Sequence, residues 1–209
     1  MDLSLSLQKY FDELSSNSPT PGGGNVAALC GTLAACLGMM VCGLTIGKKK
    51  YQEVEAEIKE IKEQLETCRK KFIILGKRDN EAFEKVMDAL KLPKETEEEK
   101  ALRQMALETS TFNAAVVPAE VISLCKEILP YLETAALKGN RNSLSDAGVA
   151  VSLIAAAAEG AFLNVLINYS SLSDRANYRN FLVKYESEYS QVIERSQQLI
   201  GEIIQKLRV

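Results

Sequence analysis

Residues 19–46, PTPGGGNVAALCGTLAACLGMMVCGLTI, decide how the chain folds. The stretch opens on Pro19 and Pro21 and on three consecutive glycines, Gly22, Gly23 and Gly24, and it contains no charged side chain. A glycine turn running straight into a helix leaves the first N–H groups unpaired, and that end carries partial positive charge. Such a place suits an anionic or polar ligand. The helix that follows has no polar face, so burial on all sides is expected. A second apolar stretch, Ala147 to Ile167, is also rich in small residues but holds Glu159 and Asn164. Val26 to Ile46 is long enough to cross a bilayer, and Lys48, Lys49 and Lys50 follow it as a flank. Its Ala, Gly, Cys and Thr content instead predicts two helices packed closely inside a soluble bundle, with no membrane.

The remaining segments read as helix, and nothing alternates as a strand does. Asp2 to Leu14 is a short amphipathic helix with Asp2 at its cap, and Asn25 is placed to cap the buried helix. From about Tyr51 to Leu90, apolar residues recur at Val54, Ile58, Ile61, Leu65, Cys68, Phe72 and Leu75, a heptad seam. The next seam position falls on Asp79, an acid where an apolar side chain is due. Pro93 ends that helix, and Thr96 with Glu99 forms a capping box for the next. Pro118 then marks a kink or a junction, and Gly139 a stop. Ser145 or Asp146 caps the second buried helix, and Ser173 caps a last helix from Asp174 to Leu207. The expected architecture is all-α: one domain over residues 1–209, a bundle of about seven helices. Two central buried small-residue helices are packed by long amphipathic ones. Long seams point to a homodimer built through the long helices.

Composition narrows the chemistry. The chain has no histidine, which excludes Ser-His-Asp and Cys-His nucleophile systems and histidine metal sites. A net charge of −3 gives no basic footprint for nucleic acid. Five cysteines, an odd number with no CxxC pair, read as reduced structural residues of a cytoplasmic protein. No signal peptide is visible in Met1 to Leu14.

Four features remain for function. Asp79 among apolar neighbours is expected to have a raised pKa, which suits proton transfer near neutrality; pairing with Lys77, Arg78 or a lysine from another helix is the plainer alternative. Gly22, Gly23 and Gly24 permit close approach of a ligand to backbone, or simply a tight turn. The run GNRNSLSD, Gly139 to Asp146, offers Asn140, Arg141 and Asp146 beyond what a stop and a cap require. Asn164 and Asn168 share a helical face, where buried amides either line a pocket or cross-link helices.

Four segments together resemble one family, the formiminotransferase-cyclodeaminase C-terminal domain and its stand-alone cyclodeaminase and cyclohydrolase relatives. They are PTPGGGNVAALCGTLAACLGMMV, RDNEAFEKVMDALKLPK, VVPAEV and GNRNSLSDAGVAVSLIAAAAEGAFLNVLIN, in the family's order. Asn25 departs from the pattern, where a serine is expected. The resemblance implies an all-helical homodimer acting on a tetrahydrofolate derivative as substrate, with no permanently bound cofactor and no metal. In the cyclodeaminase reaction the second folate nitrogen attacks the formimino carbon, ammonia leaves and methenyltetrahydrofolate forms. The cyclohydrolase relatives add water to the methenyl carbon and give formyltetrahydrofolate. The resemblance makes Asp79 the proton carrier and the glycine turn a site for a polar part of the folate. Asn140, Asp146 and Asn164 become candidates for hydrogen bonds to the ligand, and Arg141 and Lys77 for its carboxylate tail. A non-enzymatic helical scaffold explains the heptads as well, but not an acid on the seam or the polar GNRNSLSD run.

Overall fold

The computed structural model describes residues 6–208. Six α-helices lie among them: α1 (Leu7–Leu14), α2 (Gly23–Thr45), α3 (Glu55–Leu90), α4 (Glu97–Lys138), α5 (Leu144–Ser170) and α6 (Arg179–Leu207). Short 3₁₀ turns occupy Lys49–Val54 and Arg141–Ser143, and no strand occurs among the described residues. The expected all-α bundle is present, with six helices because the region around Pro118 is continuous. Pro118 and Pro130 both lie inside α4. The capping box at Thr96 and Glu99 starts α4.

Small residues set the packing. α2 runs antiparallel to α3, and Gly24, Gly31 and Gly38, at seven-residue intervals, meet Asp79, Phe72 and Leu65 in turn, Gly38 lying closer still to Leu132 of α4. A Cβ on Gly31 would fall 2.6 Å from Phe72 Cδ1, and one on Gly38 would fall 3.0 Å from Leu65 Cδ1. The seam residues Ile58, Leu65, Cys68 and Phe72 are buried here, against α2 and α4 of the same chain. The seam is therefore occupied internally and presents no face to a partner. α2 is also antiparallel to α5: Ala27 meets Gly160, and Gly23 meets Asn164.

Burial of these two helices is one-sided, contrary to expectation. Leu33, Met40 and Leu44 on α2 and Val149, Leu163 and Ile167 on α5 are exposed. Two helices, Gly23–Thr45 and the 30-residue span Arg141–Ser170, are long and apolar enough to cross a membrane, and about half of each span is covered by the rest of the chain.

Several caps differ from the sequence reading. α1 is capped by Ser6, whose hydroxyl accepts from the Lys9 N–H; Asp2 lies outside the described residues. α2 begins two residues before Asn25, with Gly22 at its cap, because Asn25 is drawn inward by buried partners. α5 is preceded by a 3₁₀ turn, which moves its cap back to Ser143. α6 starts at Arg179, because Glu108 on α4 takes the Ser173 N–H and hydroxyl and holds that segment as a loop.

Candidate active site

The N-terminus of α2 and the middle of α3 meet at Asp79. With Gly22 at the cap position, α2 has no side chain to satisfy its first N–H groups, and its own first turn carries no acid. Asp79, reaching over from α3, supplies the missing negative charge: the Asn25 backbone N–H donates to its carboxylate. The approach is close enough that a Cβ on Gly24 would lie 2.6 Å from Asp79 Cγ. Glycine is required there for room.

Burial pushes the Asp79 carboxyl up from 3.8 to about 6, and the Asn25 N–H pulls only partly the other way. No cation relieves it among the described residues. Lys77 is exposed and turns to Glu81 at 3.6 Å. Arg78 forks onto Glu120 of α4. Neither Lys77 nor Arg78 therefore pairs with Asp79.

Asn25 locks this arrangement. It is fully buried, its Oδ1 accepts from the Tyr10 hydroxyl (3.0 Å), and its Nδ2 donates to the Gly76 carbonyl (2.7 Å) and Asn80 Oδ1 (3.3 Å). Gly76 and Asn80 flank Asp79 on α3, so one amide fixes the helical turn that aims the carboxylate.

A cleft of about 260 Å³ opens beside the carboxylate, lined by Gly22, Gly23, Gly24, Phe83, Asn164 and Asn168 with Pro19, Thr20, Ala114 and Ile167 at its edges. Among these lining residues Asp79 alone is ionisable. Asn164 donates its Nδ2 to the Gly160 carbonyl (2.8 Å). Asn168 donates to the carbonyls of Asn164 (2.9 Å) and Ala114 (3.3 Å). Neither Oδ1 has a hydrogen-bond partner among the described residues, so both amides remain as acceptors. The cleft thus combines helix N–H donors, amide acceptors and one proton carrier.

The structure brings together Asp79, the three glycines and Asn164. It does not bring Lys77, Asn140, Arg141 or Asp146 to this cleft within one chain. The GNRNSLSD turn sits at the other end of α2, roughly 33 Å away along a helix of 23 residues. There Asn140 is structurally committed: its N–H goes to Thr45 Oγ1 (2.8 Å), its Nδ2 to the Leu44 carbonyl (3.1 Å), and its Oδ1 accepts from Asn142. Arg141 lines a separate, larger cleft of about 650 Å³ with Lys50, Tyr51, Lys138 and Lys206. Asp146 is half-buried in the first turn of α5.

Sequence reading missed Phe83 and Ala114 as lining residues. Phe83 is one turn beyond Asp79 and so on its face, a signal available in the helical period. Ala114 becomes part of the wall only through the helix pair α4–α5.

Residues 6–197 match the formiminotransferase-cyclodeaminase family. The chain is 45% identical over 170 residues to a methenyltetrahydrofolate cyclohydrolase of Methylorubrum extorquens, which covers 81% of this chain and 82% of that one. It is 32% identical to the mouse formimidoyltransferase-cyclodeaminase over 172 residues, but spans only 32% of that longer protein. A solved structure of a formiminotetrahydrofolate cyclodeaminase from Thermotoga maritima superposes with a TM-score of 0.80 at 36% identity, covering 96% of this chain and 98% of that one. The chain therefore belongs to the formiminotransferase-cyclodeaminase family.

Proposed function

We propose that the chain is a formiminotetrahydrofolate cyclodeaminase. The observation that carries this reading is a single carboxyl, raised to about 6, in a cleft with no other ionisable group. Attack of the second folate nitrogen on the formimino carbon gives a tetrahedral carbon between nitrogens. Starting from the protonated formimino group, the attacking nitrogen sheds a proton, the leaving amine gains one, and ammonia departs with the methenyltetrahydrofolate cation left behind. One carboxyl near neutrality serves both transfers in sequence, as base and then as acid. Positioning of the two reacting groups supplies the rest.

A second reading is methenyltetrahydrofolate cyclohydrolase, favoured by the 45% identical relative of that name. Here Asp79 takes a proton from the water that adds to the methenyl carbon and returns it to the departing ring nitrogen, so that one C–N bond breaks, the remaining hydroxyl proton goes to solvent and formyltetrahydrofolate forms. A paired absorbance assay separates the two. Gain of the methenyl chromophore from formiminotetrahydrofolate, with ammonia release, establishes the first. Loss of that chromophore above the spontaneous rate, alone, establishes the second. Silence in both removes the enzymatic reading of this cleft.

The proposed assembly is a cytoplasmic homodimer with no resident cofactor and no membrane or nucleic-acid partner. The apolar outer face of α2 and α5, where Leu33, Met40, Val149 and Leu163 are uncovered, supports the homodimer part of this proposal. We take the two copies to pair antiparallel across this face. That pairing would set the GNRNSLSD run of one copy toward the Asp79 end of the other, which would give Arg141 and Asp146 a place in folate binding.

A further inference from the structure

Pro118 lies in the interior of α4 and is buried. Proline has no N–H, so the carbonyl four residues earlier loses its helical donor. That carbonyl belongs to Ala114, in the wall of the Asp79 cleft. A carbonyl in that position needs a substitute partner, and Asn168 of α5 provides it: its Nδ2 donates to the Ala114 carbonyl at 3.3 Å and to the Asn164 carbonyl at 2.9 Å.

An amide NH2 has two donors, and both are now used. Turning the amide over would set its oxygen against two carbonyl oxygens and strand both. The polarity of Asn168 is therefore fixed, and the only group it has left for a ligand is Oδ1. We propose that Asn168 is a specificity-determining residue that accepts an N–H from the folate ring system, and that Pro118, by freeing the Ala114 carbonyl, is the positioning residue that fixes its polarity. The inference rests on the folate reading of this cleft for the identity of the ligand, but not for the proline–amide coupling itself.

The coupling is testable without any ligand. In the wild type, the Asn168 side-chain NH2 should exchange slowly with water, as read by ¹⁵N NMR. Pro118→Ala restores a backbone N–H to the Ala114 carbonyl, and exchange of the Asn168 NH2 should accelerate several-fold. The same variant should bind tetrahydrofolate roughly 5-fold more weakly by calorimetry while keeping Tm at or above that of the wild type, because an interior proline is removed. KM should rise with kcat little changed, a split that a loss of fold would not give. Asn168→Ala should weaken tetrahydrofolate binding about 10-fold, the scale of one lost buried hydrogen bond, and it carries the binding half of the test if Pro118→Ala is insoluble. Unchanged exchange in Pro118→Ala overturns the coupling. Faster exchange with unchanged tetrahydrofolate affinity overturns the acceptor role. Faster exchange in a protein whose wild type binds no tetrahydrofolate upholds the coupling and removes the folate reading alone.

Discussion

The carboxylate of Asp79 occupies the space in which a side chain on Gly24 would begin. A proton-carrying group is thus held against a helix start by the absence of an atom. Gly24→Ala should displace the carboxylate and lower kcat about 100-fold, the cost of a misplacement near 1 Å, with about 1–3 kcal/mol of overpacking. Gly31→Ala meets the Phe72 ring in the same way but one heptad away from the cleft. It should lose similar stability with kcat nearly intact. Kinetics and thermal unfolding of the pair separate catalytic placement from packing.

Asp79 should set a limb of the activity profile. With its carboxyl raised to about 6 by burial, kcat/KM for a step needing the carboxylate should fall as pH drops through 6. Asp79→Asn should lose roughly 10²–10⁴-fold in kcat, the range of general acid–base catalysis, and lose the limb as well. An unaltered rate in folded Asp79→Asn protein would sink the assignment.

The same group should make stability depend on pH in an unusual direction for an acid. The native state holds the Asp79 proton more tightly than the unfolded chain, whose carboxyl titrates near 3.8. The stabilisation is complete below about pH 4 and is lost as pH rises through 6. It amounts to at most roughly 3 kcal/mol at 1.36 kcal/mol per unit. Asp79→Asn should therefore be more stable than the wild type at pH 8, with the gap closing toward pH 4 in chemical denaturation.

Asn25→Ala should leave Tyr10, Asn80 and the Gly76 carbonyl without their partner, at a cost of roughly 1–3 kcal/mol. It should also loosen the α3 turn that aims Asp79, so kcat should fall further than KM rises. Tyr10→Phe removes only the hydroxyl and should cost less on both counts.

The dimer proposal predicts a mass twice 23.0 kDa in light scattering. Leu33→Glu with Val149→Glu, on the uncovered face, should give a folded monomer of 23.0 kDa with weakened folate turnover. A wild type that is already monomeric removes the proposal.

The fold was legible because its signals are periodic. Apolar small-residue stretches marked α2 and α5, the heptads marked α3, and an acid on the seam marked Asp79. Helix starts were less legible. Asn25 has the right chemistry for a cap, yet the buried hydroxyl of Tyr10 and the carbonyl of Gly76 compete for it and win. Pro118 reads as a kink or a junction because sequence shows the missing N–H but not Asn168, fifty residues on, which donates to the Ala114 carbonyl in its place. One-sided burial of α2 and α5 was hidden for a similar reason: an apolar helix looks alike in sequence whether one side of it or all of it meets the core. The distance between Asp79 and Arg141 within a chain is a fact of antiparallel packing that a list of motifs does not carry.

The seven-residue glycine register between α2 and α3 has a consequence for how this chain can vary through descent. Exposed side chains along this stretch of α3 can change freely, whereas Leu65 and Phe72 are fully buried against glycines and change only at a packing cost. Length cannot change. One residue inserted between Phe72 and Asp79 would swing the carboxylate about 100° around α3, away from Gly24 and out of the cleft, while every residue of the site kept its identity. The interval acts as a ruler, so lineages that retain the activity should tolerate substitutions along this segment and admit insertions only at the loops beyond its ends.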